Sequence, residues 1–172
     1  MKTKFFWPVL ILLVGMTAGC ASQGTLVTTQ PVSTGLSNYR SILVNVTSGI
    51  SGSELEITKL ETMLVTMLRQ GGRFEKIIGG SVSQETPVDL RLNVAIVRLK
   101  KVSSGERALV GALAGRARVL CHSELVQARD MRKIGEFQAE GKSSGGSVFA
   151  KGTDQAIQRV AEKIVEFLYN NM

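Results

Sequence analysis

The chain has 172 residues, 20% of them charged and 5% aromatic, with 21 Lys and Arg against 14 Asp and Glu for a formal net charge of +7. Once the N-terminal segment is set aside, the length supports one domain with a real core and leaves no room for a second. With Cys20 and Cys121 the only cysteines there is no disulfide framework, and the scarcity of aromatics argues against the stacking surface of a nucleic-acid binder.

Lys2 and Lys4 precede an apolar run from Phe5 to Met16, and Met16-Thr17-Ala18-Gly19 leads directly into Cys20. The pattern predicts a bacterial lipoprotein signal over residues 1–19. Cleavage would follow Gly19, with a diacylglycerol on the Cys20 thiol and a fatty acyl chain such as palmitate on the new N-terminus. Small side chains at Ala18 and Gly19 suit the peptidase, while Thr17 stands where leucine is commoner. A plain secretory signal with a chance cysteine is the competing reading. A spanning helix needs about 20 apolar residues, so the segment anchors the protein through lipid and does not cross; two or three acyl chains hold durably where one does not. Ala21, in place of an aspartate after Cys20, favours the outer membrane and its periplasmic face. Lys2 and Lys4 leave with the signal, and the remaining Lys and Arg read as scattered, not clustered, their charge reflecting contact with anionic lipid surfaces or nothing beyond solubility.

Residues 20–37, rich in Ser, Thr, Gly and Gln, read as a flexible tether, and 38–172 as a single α+β periplasmic domain. Ile42, Val44 and Val46 alternate as a strand. Ser53 and Glu56 have capping-box spacing ahead of Ile57, Leu60, Leu64, Met67 and Leu68 on one helical face, which Gly71-Gly72 ends. Phe74 to Ile78 reads as a short strand. Val88 to Lys101 alternates through Leu90, Leu92, Val94 and Ile96, then shifts phase at Val97 and Leu99, which predicts a bulge. Arg116–Val126 and Lys133–Lys142 read as two further strands joined by a turn near 128–131. A closing helix over 153–170, capped by Thr153 or Asp154, carries Ile157, Val160, Ala161, Ile164, Phe167 and Leu168 on one face. The order β-α-β-β-β-β-α predicts a mixed, mostly antiparallel sheet with both helices packed on one face. Asp89, Arg91, Asn93, Arg116, Arg118, His122 and Glu124 would turn the other face to water.

Chemistry-bearing motifs are sparse. Gly141-Lys142-Ser143 matches the tail of a phosphate-binding loop, but the pattern needs four residues before its Gly-Lys pair and Gly135 lies one position too far away. His122 is the only histidine. Its neighbour Cys121 points to the opposite strand face and reads as a buried, inert thiol. A periplasmic hydrolase would have to build a triad from His122, Ser143 or Ser144, and Asp89 or Asp154, without a nucleophile elbow. No catalytic set, metal site or cofactor is therefore expected.

Two connectors carry more information. Residues 104–115 are more apolar than a solvated loop, with Leu109, Val110, Gly111, Leu113 and Gly115; they either fold over the domain's own core or dock a partner protein, a second copy or the lipid interface. Residues 141–152 form a Gly- and Ser-rich connector around Val148 and Phe149.

Ala114-Gly115-Arg116-Ala117-Arg118-Val119, Gly141-Lys142-Ser143-Ser144-Gly145-Gly146 and Gly152-Thr153-Asp154-Gln155-Ala156-Ile157 together resemble a family of bacterial envelope lipoproteins classed only as a domain of unknown function. Its members join an apolar glycine-containing loop, an arginine-led strand, a strand ending in a Ser-Ser-Gly-Gly turn, and a closing helix. The resemblance runs from Val27 to the C-terminus and departs at Gln127 to Arg132, where members tend to carry an Asp-x-x-Thr-Gly turn. It implies an envelope lipoprotein with no catalytic residues to carry over. More distantly, the element order is similar to the periplasmic domain of the curli secretion channel lipoprotein and to the N-terminal domain of the Tol translocation protein; that likeness is one of fold and assigns no function.

The expectation is a lipid-anchored outer-membrane lipoprotein that binds or scaffolds envelope components without catalysis. Its partners would be the membrane, through the lipid on Cys20, and another envelope protein or a second copy, with no nucleic acid. A ring-forming subunit of a secretion or polysaccharide-export assembly is the alternative, and a periplasmic hydrolase the third.

Overall fold

The computed structural model describes residues 24–80, 86–102, 115–144 and 152–172. Over these the chain forms β1 (Gly24–Gln30), a 3-10 turn (Leu36–Asn38), β2 (Ser41–Ser48), α1 (Glu54–Gly71), β3 (Lys76–Gly79), β4 (Leu90–Lys100), β5 (Arg118–Gln127), β6 (Arg132–Lys142) and α2 (Gly152–Asn170). The strands make one sheet in the order β1-β6-β5-β4-β2-β3. β2 pairs in parallel with β3 and β4, and the remaining neighbours are antiparallel. Parallel neighbours need a crossover, which α1 supplies between β2 and β3. The fold is the expected α+β class, with a mostly antiparallel mixed sheet.

Strand alternation sends Ile42, Val44 and Val46 of β2, Leu90, Leu92, Val94 and Ile96 of β4, Val119, Cys121 and Leu125 of β5, and Phe137 and Ala139 of β6 into one core. Leu60, Leu64 and Leu68 of α1 cover the β2 side of that face, and Val160, Ile164, Phe167 and Leu168 of α2 cover the β6 side, with the two helices in contact. Phe137 and Phe167 stack with ring centroids 3.9 Å apart.

Four local expectations are corrected. First, the tether does not extend through residue 37, because Gly24–Gln30 is an edge strand on β6. Ser33 N–H donates to the Ile134 carbonyl and Leu36 N–H to the Asn171 carbonyl, each at 2.8 Å, and Leu36 is fully buried. The free edge of β6 needs partners for its backbone groups, and a Thr- and Val-containing segment fits a half-exposed edge. Second, the capping box does not form: the Ser53 hydroxyl donates to the Ile50 carbonyl at 2.6 Å, and the Glu56 carboxylate faces Lys101 at 2.8 Å. Third, Thr153 and Asp154 are used across elements, not as caps. Thr153 Oγ1 accepts the Val102 N–H, and Asp154 pairs with Lys59 of α1 at 2.6 Å. Fourth, β3 begins at Lys76, and Phe74 is a core residue ahead of it. The expected helix stop holds, since Gly72 closes α1 in the left-handed region at φ 62°. The expected bulge holds too: the β4–β5 register skips between Ile96 and Arg98, leaving Val97 exposed.

Candidate functional site

The bulge decides where the basic residues go. Before it, even-numbered positions of β4 face the core. With strict alternation, Arg98 and Lys100 would follow Ile96 into that core, where an unpaired cation is not tolerated. The extra residue at Val97 reverses the phase, so Arg98 and Lys100 emerge on the open face while Leu99 packs against the core. There Lys100 stands opposite Arg118 of β5, and Arg118 stands opposite Lys142 of β6. Arg116, just before β5, completes the set.

Arg98, Lys100, Arg116, Arg118 and Lys142 line a concavity of about 410 Å³ on the open face of the sheet. Among the described residues one carboxylate reaches into the group: Glu140 accepts from Arg118 Nε at 2.9 Å and from Lys142 Nζ at 2.9 Å, with Thr25 Oγ1 donating at 3.4 Å. Arg98, Lys100 and Arg116 form no ion pair among the described residues. Five cations against one carboxylate in a recess concentrate positive potential, and guanidinium forks match phosphate, sulfate or carboxylate oxygens. The arrangement has the charge and the donor chemistry to hold an anion. It also corrects the reading of the Lys and Arg residues as scattered. The signal lay in the phase shift at Val97 and the Arg-Ala-Arg alternation at 116–118, which become neighbours only when the strands pair.

The triad proposed for a hydrolase does not assemble. His122 lies on the open sheet face opposite Gln138, whereas Ser143 lies beyond the Arg118–Lys142 pair at the end of β6. Ser143 is fully buried, accepting the Ala117 N–H at 2.9 Å and returning its own N–H to the Ala117 carbonyl at 3.0 Å. Ser144 is held to Gln155 Oε1 through both its N–H and its hydroxyl. Asp89 sits at the opposite end of β4, where its carboxylate accepts the Arg40 N–H, the Ser41 N–H and the Ser41 hydroxyl. These hydrogen bonds, with that from the Ser41 hydroxyl foremost, hold its carboxyl below the usual aspartate range. Asp89 also borders a shallower recess of about 330 Å³ with Thr34, Asn38, Tyr39, Val88, Gln127 and Arg129.

His122, Glu124 and Glu136 place one ligand atom each within 4.8 Å of one another. Lys133 already occupies this group: its ammonium donates to Glu124 and, at closer range, to Glu136. The pairing lowers the Glu136 carboxyl and raises the Lys133 ammonium, so the cluster is charge-satisfied from within the chain. Cys121 is buried as expected, and burial pushes its thiol up to about 12, which keeps it out of thiolate chemistry.

Of the proposed docking loop, Leu109, Val110, Gly111 and Leu113 lie outside the described residues, as do Gly19, Cys20, Val148 and Phe149. Gly115 is described, and turns the chain back toward β5 in the left-handed region at φ 76°. Among the described residues no helix is long and apolar enough to cross a membrane.

No protein-family model matches the chain, and no curated protein matches it in sequence. Solved structures do share its fold. A PelC dodecamer from Paraburkholderia phytofirmans superposes with a TM-score of 0.59 at 14% identity, covering 84% of this chain and 96% of that one. Protein CT253 from Chlamydia trachomatis gives 0.52 at 11% identity over 76% of this chain and 96% of its own. Protein XCC0632 from Xanthomonas campestris, of the family DUF330, gives 0.51 at 12% identity over 83% and 87%. At these identities the likeness is one of fold.

Proposed function

We propose that this chain is a lipid-anchored envelope protein of the outer membrane, whose single domain binds or scaffolds other envelope components without catalysis. The observation that carries this reading is the position of Gly24. It is already paired with Gly141 at the start of β1, four residues after the cysteine that the signal pattern marks for lipid. A chain of four residues spans at most about 14 Å, so a lipid on Cys20 holds the domain close against the bilayer. The candidate nucleophiles and His122 stand apart from one another, which supports binding over hydrolysis. Replacing Cys20 by Ser and fractionating cells tests the anchor. Loss of membrane retention and of palmitate labelling is expected, and unchanged retention overturns it.

A second reading, self-association into a ring, is favoured by the fold shared with a protein that forms a dodecamer. β1 and β3 end the sheet on its two sides and offer backbone groups for strand-to-strand contact. Sizing the delipidated protein separates the readings: a monomer at every concentration excludes the ring.

A further inference from the structure

We propose that the concavity of Arg98, Lys100, Arg116, Arg118 and Lys142 binds the phosphate groups of anionic lipids in the leaflet that carries the N-terminal anchor, seating the domain on the membrane in one orientation. The proposal rests on the anchored reading above and adds to it a specific surface and ligand.

Three observations converge. The first is charge: among the described residues five cations share a recess with only Glu140 opposing them, and Arg98, Lys100 and Arg116 are exposed and form no ion pair there. The second is position. Gly24 pairs with Gly141, whose neighbour Lys142 stands opposite Arg118, which in turn stands opposite Lys100. The strand that leads back to Cys20 therefore begins at the same end of the sheet as the recess. The third is reach. The chain between Cys20 and Gly24 is at most about 14 Å long, so a membrane holding Cys20 must lie near this end and not near the opposite one. The geometry brings this basic recess to the bilayer surface. An anionic leaflet attracts basic groups within about a Debye length, so a recess held there by a tethered lipid acts as the second of the two signals that stable anchoring requires. Guanidinium and ammonium groups on three adjacent strands suit several phosphates side by side better than one small anion.

The test uses the mature chain, from residue 20 onward and bearing Cys20→Ser, so that no arm depends on lipidation or on the apolar signal segment. It is co-sedimented with phosphatidylcholine vesicles prepared with and without phosphatidylglycerol, at low and at high salt. The exposed residues Arg98, Lys100 and Arg116 are replaced together by Ser. Arg69, Lys76 and Arg129, toward the other end of the sheet, are replaced by Ser in a second protein with the same loss of charge. Each basic residue at an anionic surface is worth roughly fivefold in partitioning. The recess variant is therefore expected to lose on the order of 100-fold in binding to anionic vesicles, while the second variant holds. High salt should remove the preference for phosphatidylglycerol, and neutral vesicles should not distinguish the three proteins. Equal losses in the two variants, or no preference for phosphatidylglycerol, overturn the proposal. So does saturable binding of inorganic phosphate or polygalacturonate at the recess without vesicle preference, which would assign it to a soluble anion. Failure of the anchor at Cys20 leaves all of these readouts unchanged, so the two claims fall separately.

Discussion

Gly141 lies beneath the first turns of α2 with Ala156 directly against it. A Cβ on Gly141 would fall well inside the contact distance of the Ala156 carbonyl oxygen and 2.6 Å from the Val160 backbone nitrogen. The missing side chain lets the helix settle onto β6 and brings Phe167 over Phe137. Because the obstacle is helix backbone, it has no side chain to rotate away.

Gly141→Ala is accordingly expected to destabilise the domain by about 3 kcal/mol, at the upper end for overpacking. Gly49→Ala is the control, since nothing lies within 4 Å of a Cβ built there. Urea denaturation of both proteins checks the claim, and similar midpoints would show that α2 does not sit so close.

Deleting Val97 removes the bulge, returning Arg98 and Lys100 to core-facing positions. Burying even one unpaired cation is among the few single changes that cost more than about 4 kcal/mol, so the deletion is expected to unfold the domain or shift the β4–β5 pairing. Val97→Thr keeps the residue count, and at 52% exposure it should stay within about 0.5 kcal/mol of the parent. Hydrogen exchange along β4 and β5 distinguishes unfolding from a register change.

Asp89 ties the start of β4 to the start of β2. Its carboxyl is held below the ordinary value of 3.8 by the Ser41 hydroxyl and the backbone N–H groups of Ser41 and Arg40, against a partly opposing burial effect. A depressed folded value means that the stabilisation is fully present above the unfolded value and is lost as pH falls through the folded one. Asp89→Asn should therefore cost about 1 kcal/mol at neutral pH, a modest figure because the carboxylate is exposed to water. The gap between the two proteins should close below about pH 4. A gap that persists at pH 2 would mean that the charge is irrelevant to the contact.

Met131 closes the β5–β6 turn at φ 54°, the only non-glycine residue with positive φ among those described. Its side chain is 57% exposed and gains little packing in return. Met131→Gly is expected to raise stability by roughly 0.5–1 kcal/mol, relief of left-handed strain outweighing the added freedom of the unfolded chain. A lower thermal midpoint would show that the methionine contributes contacts worth more than the strain.

Alternation and helical spacing in the sequence were enough to define the fold class, the two amphipathic helices, the Gly72 stop, the bulge at Val97 and the buried state of Cys121, because burial imposes periods of 2 and 3.6 on the residues of each element by itself. The signal pattern ending at Cys20 is likewise a local property. What local pattern could not supply was any relationship between residues far apart in the chain. Gly24–Gln30 is too polar to announce itself as a strand, and it is one because the edge of β6 leaves backbone groups to satisfy. Ser53, Glu56, Thr153 and Asp154 have the chemistry of caps, yet partners from other elements claim three of them and Ser53 turns back to Ile50. Only the tertiary structure separated His122 from Ser143 and Asp89. It alone gathered Arg98, Lys100, Arg116, Arg118 and Lys142, since strand pairing places residues side by side across separations on which sequence periodicity is silent.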